Sequence, residues 1–149
     1  MPGGDGRVDL LHASTSEDAD RVGLYLGLQD ANLPGTFLPA IKLAAGQKPR
    51  QVAVADLDGD DRPDLAVGTM VSGLVNDYES VVQLYLQDPA QPGHFVRGGR
   101  YDSGDLAEFI AVADLDGDGL PDVVTGEGPQ VLYNDATRPG TLLDTVAVR

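Results

Sequence analysis

The stretch "AVADLDGDDRPDLAVG" occupies residues 53–68, and "AVADLDGDGLPDVVTG" returns at residues 111–126, 58 positions later. Each carries aspartates at the first, third, fifth and ninth places of one short segment. They are Asp56, Asp58, Asp60 and Asp64, then Asp114, Asp116, Asp118 and Asp122. A hairpin turn needs a single Asp-Gly pair, so four spaced carboxylates written twice point to further chemistry. Acids at alternate places of a tight loop can turn their oxygens toward one centre. Held that close they repel, unless a cation lies among them. Calcium suits the spacing because it is a hard ion that accepts six to eight oxygens in flexible geometry, whereas magnesium demands a rigid octahedron and keeps its waters. The backbone carbonyl at the seventh place, Arg62 or Leu120, is the expected fifth protein ligand. Gly59 and Gly117 let the chain wrap closely. The sixth place holds Gly119 in one loop and Asp61 in the other, a residue that tolerates left-handed backbone better than most. An EF-hand loop opens in the same way but requires a bidentate Glu at its twelfth place and helices on both sides. Val67 and Thr125 stand there instead, between apolar, strand-like flanks, which excludes it.

The repetition extends beyond the acidic loops. "VGLYLGLQDANLPGTF" (22–37), "VVQLYLQDPAQPGHF" (81–95) and "PQVLYNDATRPGTL" (129–142) align on Leu-Tyr, then an Asp, then Pro-Gly. A fixed period of this size is the signature of a stacked or circular array. The middle copy predicts four short strands at 52–57, 64–70, 81–87 and 94–100, rich in Val, Leu and Tyr and separated by Gly, Pro, Asp and Asn. The third copy predicts strands at 109–115, 122–125, 130–134 and 141–148. No segment sustains a helical period. The fold expected is all-β, built of β-propeller blades of four antiparallel strands. The blades fall at 1–50, 51–108 and 109–149, within one repeat domain. In the first copy Asp5 and Asp9 match the fifth and ninth places, but the strand that should carry the first and third is missing. That blade therefore lacks its inner strand, and its half-site is expected to be empty or weak unless another chain completes it. A propeller closes with about four to eight blades, so three blades imply closure by self-association, as a homo-oligomer, or a longer parent.

Composition narrows the functions available. With 149 residues, 42% of them hydrophobic, the chain can bury a core, and 19 Gly and 10 Pro imply many turns. Its 24 acidic against 10 basic residues give a net charge of −14. That surface repels nucleic-acid phosphates and anionic lipid, so no nucleic acid and no membrane insertion are expected. No cysteine is present, which removes disulfides and thiolate metal sites. No apolar run approaches a membrane span, and the opening "MPGGDG" has neither the basic start nor the apolar core of a signal peptide.

The sequences "VAVADLDGDDRPDLAVG" and "IAVADLDGDGLPDVVTG" resemble the FG-GAP or VCBS repeats of integrin-like β-propellers, which are built on Asp-x-Asp-x-Asp-x-x-x-Asp followed by a strand. The resemblance implies a calcium loop joining the first and second strands of a blade and holding that hairpin rigid. It carries over to the eight aspartates named above, and only by half to Asp5 and Asp9. The Phe-Gly of the family name is replaced by "FI" at 109–110 and "QV" at 51–52.

Catalysis is not expected. His12 falls on a predicted strand, and His94 beside a Pro-Gly turn matches Thr36 and Thr141. The serines lie in polar loops without a G-x-S-x-G setting, and Glu127 is a lone carboxylate. Binding remains. The acidic and Pro-Gly loops should share one end of the blades. The variable segments 14–21, 71–80 and 126–129, and the connections 44–51 and 100–108, should lie at the other end, where recognition usually resides. Lys48, Arg50, Tyr78 and Tyr101 are the candidate contacts there. The expectation is a secreted or extracellular calcium-binding scaffold that self-assembles. The alternatives are a protein- or carbohydrate-binding module and an accessory domain of a larger secreted enzyme.

Overall fold

The computed structural model describes residues 6–7, 9–15, 21–43, 48–72, 78–104, 109–126, 130–143 and 146–147. Asp5 and most of the variable segments 14–21, 71–80 and 126–129 lie outside them. Among the described residues there are eleven strands and no helix. The first sheet holds β1 (Leu10–Ser14), β2 (Gly23–Gly27) and β3 (Ile41–Leu43). The second holds β4 (Lys48–Ala55), β5 (Asp64–Ser72), β6 (Tyr78–Gln87) and β7 (Phe95–Asp102). The third holds β8 (Ile110–Ala113), β9 (Asp122–Thr125), β10 (Gln130–Leu132) and β11 (Val146–Ala147). Every pairing is antiparallel between chain neighbours. Each sheet is therefore a simple meander, and among the described residues the first has three strands.

Alternation along the strands explains the stacking. On β5, Leu65 and Val67 point toward the first sheet, where they pack with Leu24, Leu26 and Leu43, alongside Tyr85 of their own sheet. Ala66 points the other way and joins Leu57, Val82 and Leu84 against Ile110, Val123, Leu132 and Leu142 of the third sheet. The middle sheet is covered on both faces. That is why "DLAVG" reads as an unbroken apolar run rather than an alternating one.

The same step relates each sheet to the next. An added Cβ on Gly93 would lie 3.4 Å from Leu28, and one on Gly140 would lie 3.3 Å from Leu86. The same close approach is thus repeated across two successive interfaces. The Pro-Gly turns repeat too. The amides of Asp30, Asp88 and Asp135 donate to the carbonyls of Thr36, His94 and Thr141 at 2.8–2.9 Å. Each of those aspartates also accepts from the amide two residues on, at 2.7–2.9 Å.

The turn aspartates and glycines are thus equivalent, but the tyrosines aligned with them are not. Tyr25, Tyr85 and Tyr133 stand at different distances before the turn, and Leu28, Leu86 and Tyr133 share the structural position. Other boundaries shift as well. The connection expected at 44–51 becomes strand from Lys48, where β4 begins. β5 and β6 extend into 71–80, and β7 continues to Asp102. In the third sheet the first strand shortens to four residues. The expected last strand survives as Val146–Ala147 and an isolated bridge from Asn134 to Leu142.

Candidate metal centre

Each acidic loop links the first and second strands of a four-stranded sheet, β4 to β5 and β8 to β9. Its shape is set by side chains folding back on their own backbone. Asp56 Oδ1 accepts from the amides of Gly59 (2.8 Å) and Asp60 (3.0 Å), and its Oδ2 accepts from Asp61 (2.8 Å). Asp114 does the same with Gly117 (2.7 Å) and Gly119 (3.0 Å). The wrap needs left-handed residues. Gly59 and Gly117 have φ of 76° and 82°, Gly119 has 91°, and Asp61 has 64°. Asp61 is the one described non-glycine residue with positive φ, at the place where the sequence required tolerance.

The ninth-place aspartates do more than the spacing suggested. Asp64 and Asp122 are fully buried. Asp64 Oδ2 accepts from the Leu57 amide at 2.9 Å, and its Oδ1 accepts from the Gln87 amide on the third strand at 2.8 Å. Asp122 repeats this with Leu115 and Asn134, both at 2.8 Å. In the first sheet Asp9 Oδ1 likewise accepts from Gln29 at 3.0 Å. One carboxylate ties the loop to a strand two places away in the sheet. Sequence reasoning missed the third-strand partners Gln29, Gln87 and Asn134. The available signal was an amide side chain immediately before the aligned turn aspartate in all three copies.

The structure brings together three of the four carboxylates in each loop. Oxygens of Asp56, Asp58 and Asp64 lie within 4.8 Å of one another, as do those of Asp114, Asp116 and Asp122. Asp60 and Asp118 stand outside these groups. Asp60 Oδ1 accepts from the Arg62 amide, and its Oδ2 pairs with the Arg62 guanidinium at 2.6 Å. Asp118 accepts from the Leu120 amide at 2.8 Å. Arg62 and Leu120 hold the seventh place, and their side chains point to other partners. Arg62 ion-pairs, and Leu120 rests near Gly59 of the neighbouring loop.

Crowding shows in the protonation of the first loop. Burial pushes the Asp64 carboxyl up to about 6, against the pull of the amide bonds from Gln87 and Leu57. Burial, and behind it the negative charge of Asp60, also raises Asp58. A divalent cation would relieve both effects. The convergent donors are all hard oxygens, which fits calcium and not a soft or imidazole-seeking metal.

The four candidate contact residues lie on three strands of the second sheet. Lys48 and Arg50 lie on β4, and the Arg50 Nε donates to Met70 Sδ at 3.1 Å. Tyr78 opens β6. Tyr101 lies on β7, packs against the core between the second and third sheets, and accepts a hydrogen bond from the Leu142 amide at 2.9 Å. An added Cβ on Gly99 would clash with the Tyr101 ring. Tyr101 thereby links the second sheet to the third. The acidic loops and Pro-Gly turns do meet at one end of the sheets, since a Cβ on Gly140 would come 3.0 Å from the Asp58 Cβ.

Stacked antiparallel meanders with an acidic loop between their first and second strands define a β-propeller-like repeat array. Comparison with family models agrees. An FG-GAP-like repeat matches residues 4–67, and an FG-GAP repeat matches residues 107–137. Between them they span well over half the chain and include both acidic loops, so the chain belongs to the FG-GAP repeat proteins. Such repeats imply an integrin-like β-propeller module and occur in extracellular or secreted proteins. No curated protein matches the chain. Among the described residues no helix is long and apolar enough to cross a membrane.

Proposed function

We propose that this chain is a calcium-stabilised, non-catalytic β-propeller scaffold that closes by associating with a second copy of itself. The observation that carries the calcium reading is the pair of matching carboxylate triads, Asp56/Asp58/Asp64 and Asp114/Asp116/Asp122. Asp60, Asp118 and the carbonyls of Arg62 and Leu120 would complete each oxygen shell. The ion's chemistry is structural: it neutralises a loop that otherwise repels itself, and so holds the β4–β5 and β8–β9 hairpins closed. Calcium sites in extracellular modules bind at about 10⁻⁴ to 10⁻³ M, which suits a secreted protein.

Self-association rests on equivalent positions with unequal burial. Leu57 is fully buried against the third sheet, while Leu115, 58 residues on in the last sheet, is 50% exposed. Leu65 is buried by the first sheet, while its counterpart Leu10 is 54% exposed. Each exposed residue lies on an outermost face, where the internal interfaces supply a neighbouring sheet. The last face of one copy therefore suits the first face of another, in the geometry the chain already uses twice. The two histidines support the non-catalytic reading. His12 is exposed on β1, and the His94 ring stands 3.8 Å from Asp88 at a turn. Light scattering in millimolar calcium should give at least twice the chain mass, and a strict monomer at high concentration would defeat the self-association.

A further inference from the structure

We infer that the two acidic loops load cations cooperatively and that Asn134 is the positioning residue that couples them. The inference rests on the calcium reading above. Asn134 is 2% exposed, and its backbone amide donates to Asp122 Oδ1 at 2.8 Å. Its side-chain Nδ2 donates to the Leu57 carbonyl at 2.8 Å and to the Pro121 carbonyl at 3.1 Å. Its Oδ1 accepts from the Gly140 amide at 3.2 Å. One buried side chain thus holds the residue beside Asp122 in the second loop and the residue between Asp56 and Asp58 in the first.

Leu57 is therefore gripped through both of its backbone polar groups. Its N–H goes to Asp64 of its own loop, and its C=O goes to Asn134 of the next sheet. The same elements also approach closely at two glycines. A Cβ on Gly59 would meet Leu120 Cδ2 at 3.4 Å, and one on Gly140 would meet the Asp58 Cβ at 3.0 Å.

The coupling follows from these restraints. An ion in the second loop fixes Asp122, which fixes Asn134 through its amide. Asn134 in turn holds the Leu57 carbonyl, and with it the spacing of Asp56 and Asp58. A loop already ordered loses less conformational freedom on loading, so its affinity rises. Linkage makes the effect reciprocal. A single buried hydrogen bond of ordinary strength supports a coupling of about fivefold in affinity.

Calcium titration calorimetry on the full chain tests this. Asp116→Asn should reduce the stoichiometry from two ions to one and weaken the remaining site about fivefold. In an Asn134→Ala background, Asp116→Asn should leave the first site's affinity unchanged, while melting in chelator confirms that the variant is folded. If Asn134→Ala does not fold, Leu120→Ala shortens the side chain that lies closest to Gly59 of the first loop without touching Asn134 and should cut the coupling about twofold. Two sites with independent affinities in the wild-type chain would overturn the coupling and leave the calcium reading standing. No calcium heat at all would overturn both.

Discussion

Replacing Leu57 by alanine should cost about 3 kcal/mol, within the range measured for buried leucines that leave a cavity. Leu57 is fully buried among Ile110, Val123, Leu132 and Leu142, and its backbone is fixed by Asp64 and Asn134, so the site has little freedom to collapse. For a chain of this size, each kcal/mol moves Tm by about 2–4 °C, so a fall of roughly 6–12 °C is expected. Leu115→Ala is the matched control, because it has the same residue type and loop position. In an isolated chain its half-exposed side chain should cost about 1 kcal/mol or less, since no closed cavity forms. If a second copy covers it, the cost should climb toward that of Leu57 and grow with protein concentration. Thermal melts of both variants across a dilution series, with calcium present, give the answer. Leu57→Ala proving no worse than Leu115→Ala at high dilution would refute the packing of the second sheet on the third.

Three other outcomes follow from single residues. Asp61→Gly should raise stability by about 1 kcal/mol, because it relieves a left-handed aspartate while keeping the amide bond to Asp56; a lower Tm would show that its side chain matters. Gly140→Ala should lower stability by about 1–2 kcal/mol and weaken the first calcium site, since φ is 80° there and the new Cβ would crowd Asp58. For pH, Asp64 is raised from its ordinary value to about 6 on folding, so its contribution to stability is complete at low pH and disappears as pH rises through 6. The chelated chain should therefore melt higher near about pH 5 than near about pH 7.5, and saturating calcium, which binds the ionised form, should reverse the order. A chelated melt that does not change across that interval would count against the buried carboxylate.

The sequence carried the architecture and the two loops because both are written locally. Four strands per copy are visible in short β-branched runs between Gly, Pro and Asp. The loop bends are visible at Gly59, Asp61, Gly117 and Gly119, each of which has the positive φ the wrap requires. What escaped depends on contacts across the stack. Asp64 and Asp122 read as ligands in sequence, and nothing local shows that each also binds two backbone amides, one of them beyond its own hairpin. Asp60 shares the spacing of the others but turns to Arg62, a local ion pair that spacing does not encode. Tyr101 reads as a loop aromatic, and becomes a half-buried link between sheets because Leu142 donates to its hydroxyl. The Leu-Tyr alignment misled for a related reason. The turn aspartate sets the register through Asp9, Asp64 and Asp122, and the tyrosines precede it by unequal distances.

Equilibrium dialysis against saturating calcium, with bound metal counted by atomic emission, probes the loops as cation cages most directly. The wild-type chain should retain two ions, Asp58→Asn and Asp116→Asn one each, and the double variant none. A wild-type chain that emerges with no calcium, or one whose count is unchanged in the double variant, would contradict the account.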